Sequence, residues 1–261
     1  MNAPEKVLYQ QTDRGVVPIY ADNFTNQPET YPKEDHETWG YLLARQKNVA
    51  KERAHPLFLK YLDELSFSSH IPRFSALEEK LKGWKLVPVN GLLSDQVFFE
   101  LLAQKKFPTT WWMRPQNQME YIQEPDMFHD VFGHIPFLMN EEYSSLVQNF
   151  GRLGSGALSK SPEFMVKLAR LYWFTIEFGL YKENTKMFAA GAGLLSSPSE
   201  IIHSLDKGTP KKIFSQKKAA VTDYKIDSYQ PSYFYFSSFA DVEKELRLFL
   251  DNEQNSSNYF K

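Results

Sequence analysis

The stretch LARLYWFTIEFGLY, Leu168 to Tyr181, limits the fold more than any other part of the chain. It is a nearly unbroken apolar run of helical length, and its one acid is Glu177. The helical neighbours of that acid are Trp173, Phe174 and Leu180, with Ile176 and Phe178 beside it. A helix that is apolar on most sides has to be surrounded by other elements. An unpaired carboxylate inside it is costly, or else takes up a proton. Its sequence neighbours offer no cation on that face, so Glu177 pairs with a distant Arg or binds a metal.

The rest of the chain has the material to enclose such a helix. Among 261 residues stand 21 Phe, 14 Tyr and 5 Trp, enough for a core built on rings. Lys33 to Ala54 places Trp39, Leu42, Leu43 and Val49 near helical spacing and reads as an amphipathic helix. PLFLKYLDEL and SALEEKLKGW predict two short helices, the second capped by Ser75. WKLVPVN is a short strand or extended link, SDQVFFELLAQKK a helix capped by Ser94, and FPTTWWM extended. Two strong helices follow, near Glu141–Leu158 and Pro162–Lys182. Ser197, Pro198 and Glu200 have the spacing of a capping box. Aromatic strand material, YFYFSSF, precedes a last helix, ADVEKELRLFLD.

Neither repeats nor a dividing linker interrupt this order. It predicts a mainly α fold, α+β with small strands, in one catalytic-size domain over 31–251. An irregular polar arm over 1–30 and a flexible polar tail over 252–261 flank it. Net charge is −2, which favours neither nucleic acid nor an anionic membrane. There is no Cys, so disulfides, thiolate metal sites and a Cys nucleophile are excluded. The first residues do not form a secretory signal and no apolar run spans a bilayer, so the expected location is the cytoplasm.

EPDMFHDVFGHIPF, Glu124 to Phe137, holds two of the six histidines, His129 and His134, five positions apart. On a regular helix such positions point about 140° apart. Gly133 and Pro136 suggest a helix that ends near Gly133 and turns, so that His134 swings back towards His129. Hydrogen-bonded core histidines and an acid paired to a distant Arg would satisfy the same residues. Taken together, however, two His and one buried Glu point to a metal. Two His and one carboxylate on one face of a divalent ion form the facial triad of non-haem Fe(II) oxygenases, which leaves positions open for O2 and substrate.

In combination and in this order, EPDMFHDVFGHIPF, YWFTIEFGL and GAGLLSSPSE resemble the pterin-dependent aromatic amino acid hydroxylases. VNGLLSDQVFF and YQPSYFYFSSF fit the same pattern on either side. The likeness runs from about Tyr31 to Asp251. Within the family the chain is most similar to the short bacterial phenylalanine 4-hydroxylases. It has no room for the regulatory domain and tetramerisation helix of animal members, which implies a monomer.

The resemblance implies roles. His129, His134 and Glu177 would hold Fe(II). Phe98 would stack on tetrahydrobiopterin or a related reduced pterin, although core packing explains Phe98 as well. Gly91, Leu92 and Leu93 would border the pterin, and Asp130, in place of a family Glu, would reach it through water. Arg114 would bind the substrate carboxylate, a task that suits a guanidinium. Ser196 would help hold the amino acid, Tyr172 and Trp173 would line the ring pocket, and Pro125 would pack on the substrate ring. Two departures stand out. Ile122 replaces a Thr near the substrate carboxylate, and Asp95 replaces a second Ser near the pterin.

The implied reaction converts phenylalanine to tyrosine in phenylalanine catabolism. Its partners are an aromatic amino acid, O2 and pterin-recycling enzymes. Other readings stay open: the same chemistry on tyrosine or tryptophan, a zinc-dependent hydrolase with a metal-bound water, or a non-catalytic metal scaffold. The hydrolase reading lacks a spare base placed as in H-E-x-x-H and leaves the pterin-like segment unexplained.

Overall fold

The structure, a computed structural model, describes residues 9–12, 15–18, 26–120, 124–156 and 161–258. Near the N-terminus two strands, β1 (Tyr9–Thr12) and β2 (Gly15–Pro18), pair antiparallel, where an irregular arm was expected. The Thr and Val residues in them suit an extended backbone. Helix α1 (Lys33–Ala50) begins with Glu34 and Asp35 at its positive end and buries Trp39, Leu42, Leu43, Gln46 and Ala50 along one stripe.

Pro56 opens α2 (Pro56–Leu65), capped by His55 Nδ1, which accepts from the Leu57 amide. Helix α3 (Phe74–Glu78) starts one residue earlier than expected, so Ser75 lies inside it. Its first amide, that of Phe74, is taken by Asn26 Oδ1 at 2.6 Å, a cap from 48 residues away. The parallel pair β3 (Lys85–Val89) and β4 (Lys106–Thr110) encloses α4 (Asp95–Ala103), with Ser94 as its cap.

The double-histidine segment is not a helix that ends and turns. It is a continuous π turn over His129–His134, followed directly by α5 (Ile135–Leu138) and by α6 (Glu141–Gly154), capped by Asn140. The Gln148 amide donates to the Ala103 carbonyl and ties α6 to α4. Helix α7 (Pro162–Tyr172) is also shorter than predicted. It passes into a second π turn, Trp173–Glu177, and then into β5 (Leu180–Glu183).

A hairpin to β6 (Lys186–Ala189) leads to the short helices α8 (Ala192–Ser196) and α9 (Glu200–Leu205), then β7 (Lys211–Ile213), α10 (Gln216–Ala219), β8 (Tyr233–Phe236) and α11 (Phe239–Asn258). The small sheet runs β6-β5-β8-β7. Only half of the capping box forms. Ser197 accepts from the Glu200 amide, but the Glu200 carboxylate accepts from the Tyr233 hydroxyl at 2.8 Å and the Gln230 amide at 3.1 Å instead of reaching back. The last helix extends to Asn258, into the segment expected as a polar tail, where Lys167 holds Glu253 at 3.0 Å.

Rings brace the first π turn from several sides. Trp39 of α1 meets Phe128 edge-on, Phe58 of α2 meets Phe132, and Phe128 stacks on Phe132 at 4.9 Å. Such pairs contribute about 0.5–1.5 kcal/mol each beyond area burial. They fix the turn that carries both histidines.

Candidate metal centre

Asp126 starts the segment. Its Oδ1 accepts the His129 amide three residues on, as an N-cap does, at 3.0 Å. From His129 the i→i+5 pattern of a π turn widens the coil by one residue. Positions five apart then fall on one side, and the two imidazoles meet with centroids 5.2 Å apart. Gly133 makes this turn possible beside α8, since a Cβ there would lie 2.8 Å from the Ala192 carbonyl oxygen.

The second π turn supplies the acid. The Phe178 amide bonds to the Trp173 carbonyl at 2.8 Å, the i→i+5 bond itself. Thr175 Oγ1 donates back to the Leu171 carbonyl at 2.7 Å, a side-chain bond to the preceding turn. Glu177 then faces both rings: Oε2 lies 3.5 Å from His129 Nε2, and Oε1 lies 3.3 Å from His134 Nε2. Two ligands at right angles on an ion about 2.1 Å from each stand roughly 3 Å apart. Glu177 thus stands at ligand spacing from each imidazole.

Their electrostatics agree. Burial pushes the Glu177 carboxyl up, but the charge and hydrogen bond of His134, helped by His129, outweigh it and hold the group below its usual range. Burial would depress His134, and Glu177 reverses this and raises it. Burial dominates at His129 and takes it down to about 4, a neutral imidazole. Its tautomer follows from Ser196. That hydroxyl donates its one hydrogen to the Ala192 carbonyl at 2.8 Å, so towards His129 Nδ1, 2.9 Å away, it can only accept. The hydrogen of His129 is therefore on Nδ1, and the Nε2 lone pair faces Glu177.

A rival triplet exists. One ligand atom each of His129, Asp130 and His134 lie within 4.8 Å of one another. Asp130 is the weaker third member. Its Oδ2 already accepts the Thr110 amide at 2.6 Å. Burial raises its carboxyl to about 7, which leaves it partly protonated at neutral pH. Glu177, charged and 3.5 and 3.3 Å from the two Nε2 atoms, fits an ion better.

Arg114 is buried, and its fork is engaged by Asp126. Nε donates to Oδ2 at 2.7 Å and Nη2 to Oδ1 at 2.8 Å, while the Arg114 amide also donates to Oδ2. With the His129 amide, the four contacts of this carboxylate among the described residues are to the candidate site. The sequence reading missed Asp126, although an Asp three residues before the first ligand, at the start of a helix, is an N-cap pattern.

Other expected residues fall into place less evenly. Ser196 is buried against His129 rather than turned to a free space, which differs from its expected contact with the amino acid. Tyr172 is buried edge-on among Phe98, Phe99 and Phe150, so it belongs to the core that backs the site. Its hydroxyl has no hydrogen-bond partner among the described residues. Trp173 is half-buried and stacks on Phe178 and Tyr224. Phe98 is half-buried, Leu92 is 62% exposed, and Gly91 turns the chain at φ +142°. Pro125 is half-buried beside Asp126. Asp95 opens α4, and the loss of water around its carboxyl raises its pKa. Ile122 lies outside the described residues.

Residues 23–258 match the family described as biopterin-dependent aromatic amino acid hydroxylase. The phenylalanine-4-hydroxylase of Chromobacterium violaceum is 42% identical over 229 residues, 85% of this chain and 76% of that protein. A crystal structure of the enzyme from that organism, with bound iron(III) and 7,8-dihydrobiopterin, superposes with a TM-score of 0.81 at 38% identity, covering 90% of this chain and 88% of that one. Tyrosine 3-monooxygenase of Mus musculus is 36% identical over 83% of this chain and 45% of its own length. The chain belongs to the biopterin-dependent aromatic amino acid hydroxylases. Its fold is the single, mainly helical catalytic domain of that family, which is biopterin-dependent. The donor set described above fits iron: two imidazoles, at least one with its Nε2 lone pair directed inward, and one charged carboxylate.

Proposed function

We propose that this chain hydroxylates L-phenylalanine to L-tyrosine with O2, iron and a reduced pterin, through His129, His134 and Glu177 as the iron ligands. The observation that carries the reading is the approach of Glu177 to both Nε2 atoms, at 3.5 and 3.3 Å. With both groups bound, the pterin supplies two electrons and the iron activates O2, one atom of which enters the ring.

The chain's own part is to hold and to exclude. Three protein ligands leave open positions on the ion. Ser196 holds the His129 proton on Nδ1 and so keeps Nε2 available. Arg114, fixed on Asp126, offers a cation for the amino acid carboxylate. Pro125 and Trp173 shape the ring pocket, Tyr172 backs it from the core, and Ser196 supports it from behind through His129. Phe98, with Gly91, Leu92 and Leu93, forms the pterin wall, and Asp130 meets the pterin through water. An exposed Leu92 next to a half-buried Phe98 suits a flat ring system. The ring-rich surroundings keep water from the reacting atoms.

Residues 31–251 form the catalytic unit in this reading, acting as a cytoplasmic monomer served by pterin-recycling enzymes. Among the described residues no helix is long and apolar enough to cross a membrane. Protein loaded with Fe(II) under anaerobic conditions should form tyrosine from phenylalanine on addition of reduced pterin and air. Side-by-side assays with tyrosine and tryptophan should give lower specificity constants. Turnover that needs zinc but no pterin, or a preference for another ring, would overturn the assignment.

A further inference from the structure

We infer that Tyr224 and Arg170 are positioning residues that hold the Trp173 indole and thereby set the width of the substrate ring pocket. This rests on the reading of Trp173 as a pocket wall. Trp173 is the ring common to two stacks: Tyr224 lies 4.3 Å away at 21°, and Phe178 lies 4.6 Å away at 29°. Among the described rings Phe178 and Tyr224 make no contact with each other, as rings on opposite faces of the indole would. With both faces covered, the edge of the indole is what remains for a substrate. Its tilt then decides how far that edge reaches into the pocket.

The two neighbours are held in different ways. Phe178 follows Glu177 directly, and its amide closes the π turn on the Trp173 carbonyl. It moves only if the ligand-bearing turn moves. Tyr224 comes from the irregular segment after α10. Its outer side borders a cavity of about 320 Å³, lined also by Asp95, Val166 and Arg170, so protein does not back it there. Arg170 supplies the restraint. Nη1 donates to the Ala220 carbonyl at 3.1 Å, and Nη2 pairs with Asp223. Arg170 and Trp173 are three apart on one helical stretch and so share a face. The segment 220–224 is thus fastened to that face twice, once by a cation and once by a ring.

The consequence is a selectivity element outside the ligand set. Without the Tyr224 ring, the indole gains freedom to tilt towards the cavity, and the pocket admits a larger ring. The test compares Tyr224→Leu, Tyr224→Phe, Asp223→Asn and Trp173→Phe with the parent. For each, iron stoichiometry, near-ultraviolet circular dichroism of the metal-free protein, and specificity constants for phenylalanine and tryptophan are measured. Tyr224→Leu should weaken the near-ultraviolet signal of the stacked indole. It should also raise the tryptophan-to-phenylalanine ratio on the order of fivefold, the scale of one lost ring pair. Iron content should be unchanged. Tyr224→Phe should restore both readouts, and Asp223→Asn should shift the ratio less, in the same direction. If Trp173→Phe moves the ratio while Tyr224→Leu and Asp223→Asn leave it at the parental value, the positioning role is overturned and the pocket wall stands. If Trp173→Phe leaves the ratio unchanged, the wall reading itself falls and this inference with it. If Tyr224→Leu does not fold, Asp223→Asn decides alone, since its side chain is 89% exposed and its loss reaches the stack only through Arg170.

Discussion

The turn from His129 to His134 lies inside a ring-packed core and runs on into another helix, whereas the turn from Trp173 to Glu177 ends a helix just before a strand. Both are π turns, but they are held open differently. In the first, Phe58, Phe128 and Phe132 press from the side and Gly133 lets α8 come close, so tertiary crowding maintains the wide coil. In the second, Thr175 bonds back to a carbonyl of its own helix, a local device. The first presents two ligands and is buried almost throughout. The second presents one ligand and, one turn before it, a half-exposed ring. In the proposed reading, a rigid part sets where the ion goes, and a more open part adjusts what lies beside it.

The largest test of this contrast removes ligands from each turn. His134→Ala and Glu177→Ala should each abolish stoichiometric Fe(II) binding and turnover in a protein that still folds, as two remaining ligands are too few for a labile divalent ion. Metal analysis after gel filtration, with far-ultraviolet circular dichroism as the control, checks it. Retained iron in either variant would remove that residue from the centre and leave its turn purely structural.

Next in size is the Arg114 pair, which belongs to the first turn only. Both side chains are almost fully buried, so Arg114→Ala strands the Asp126 charge. Loss of one member of such a pair costs about 3–5 kcal/mol. Urea denaturation should show that loss, and phenylalanine affinity should fall tenfold or more, by a charge-assisted bond of about 1.5–3 kcal/mol. The double change Arg114→Ala with Asp126→Ala should recover part of the stability but none of the affinity.

A smaller effect isolates the orientation of one ligand. Ser196→Ala leaves every ligand present but frees His129 Nδ1 from its acceptor. Losing the partner that orients a metal-bound His typically costs about 10–100-fold in metal affinity. Competition with a chelator reads this directly, and an unchanged iron affinity would mean that packing alone orients His129.

The smallest belongs to the second turn. Thr175→Val removes the hydroxyl that serves the Leu171 carbonyl and should lower stability by about 1 kcal/mol. Melting temperature reports it. Hydrogen exchange should rise at 173–178 and stay unchanged at 129–134. Equal loosening of both turns would contradict the division between a crowded and a locally held turn.

Much of this architecture is legible in the chain, because it rests on near neighbours. Ser94 before α4 and the apolar stripe of α1 are local patterns, and the three candidate ligands stand out by residue type. The widened turns are not legible in that way. A 3.6-residue period sets His129 and His134 apart, and a bend at Gly133 was the remedy it suggested. The actual remedy depends on rings from α1 and α2 and on an approach by α8, none of them sequence neighbours. The α3 cap misleads for the same reason: Ser75 has the right residue type, but Asn26 arrives from far along the chain. Glu200 had the right spacing for a box and was diverted by Tyr233. Asp126 was readable and was passed over because the eye goes to the histidines.

The four contacts on Asp126 also carry a thermodynamic consequence. One buried charge holds both the Arg114 fork and the amide of a candidate metal ligand. A carboxylate arriving at Arg114 draws on the same guanidinium, and an ion arriving at His129 pulls on the same backbone. Binding linkage is reciprocal, so whatever factor the amino acid imposes on metal affinity, the metal must impose on amino acid affinity. Coupling of this kind is typically about 1–3 kcal/mol. Titrating each ligand with and without the other therefore yields a closed cycle, whose two coupling values must agree.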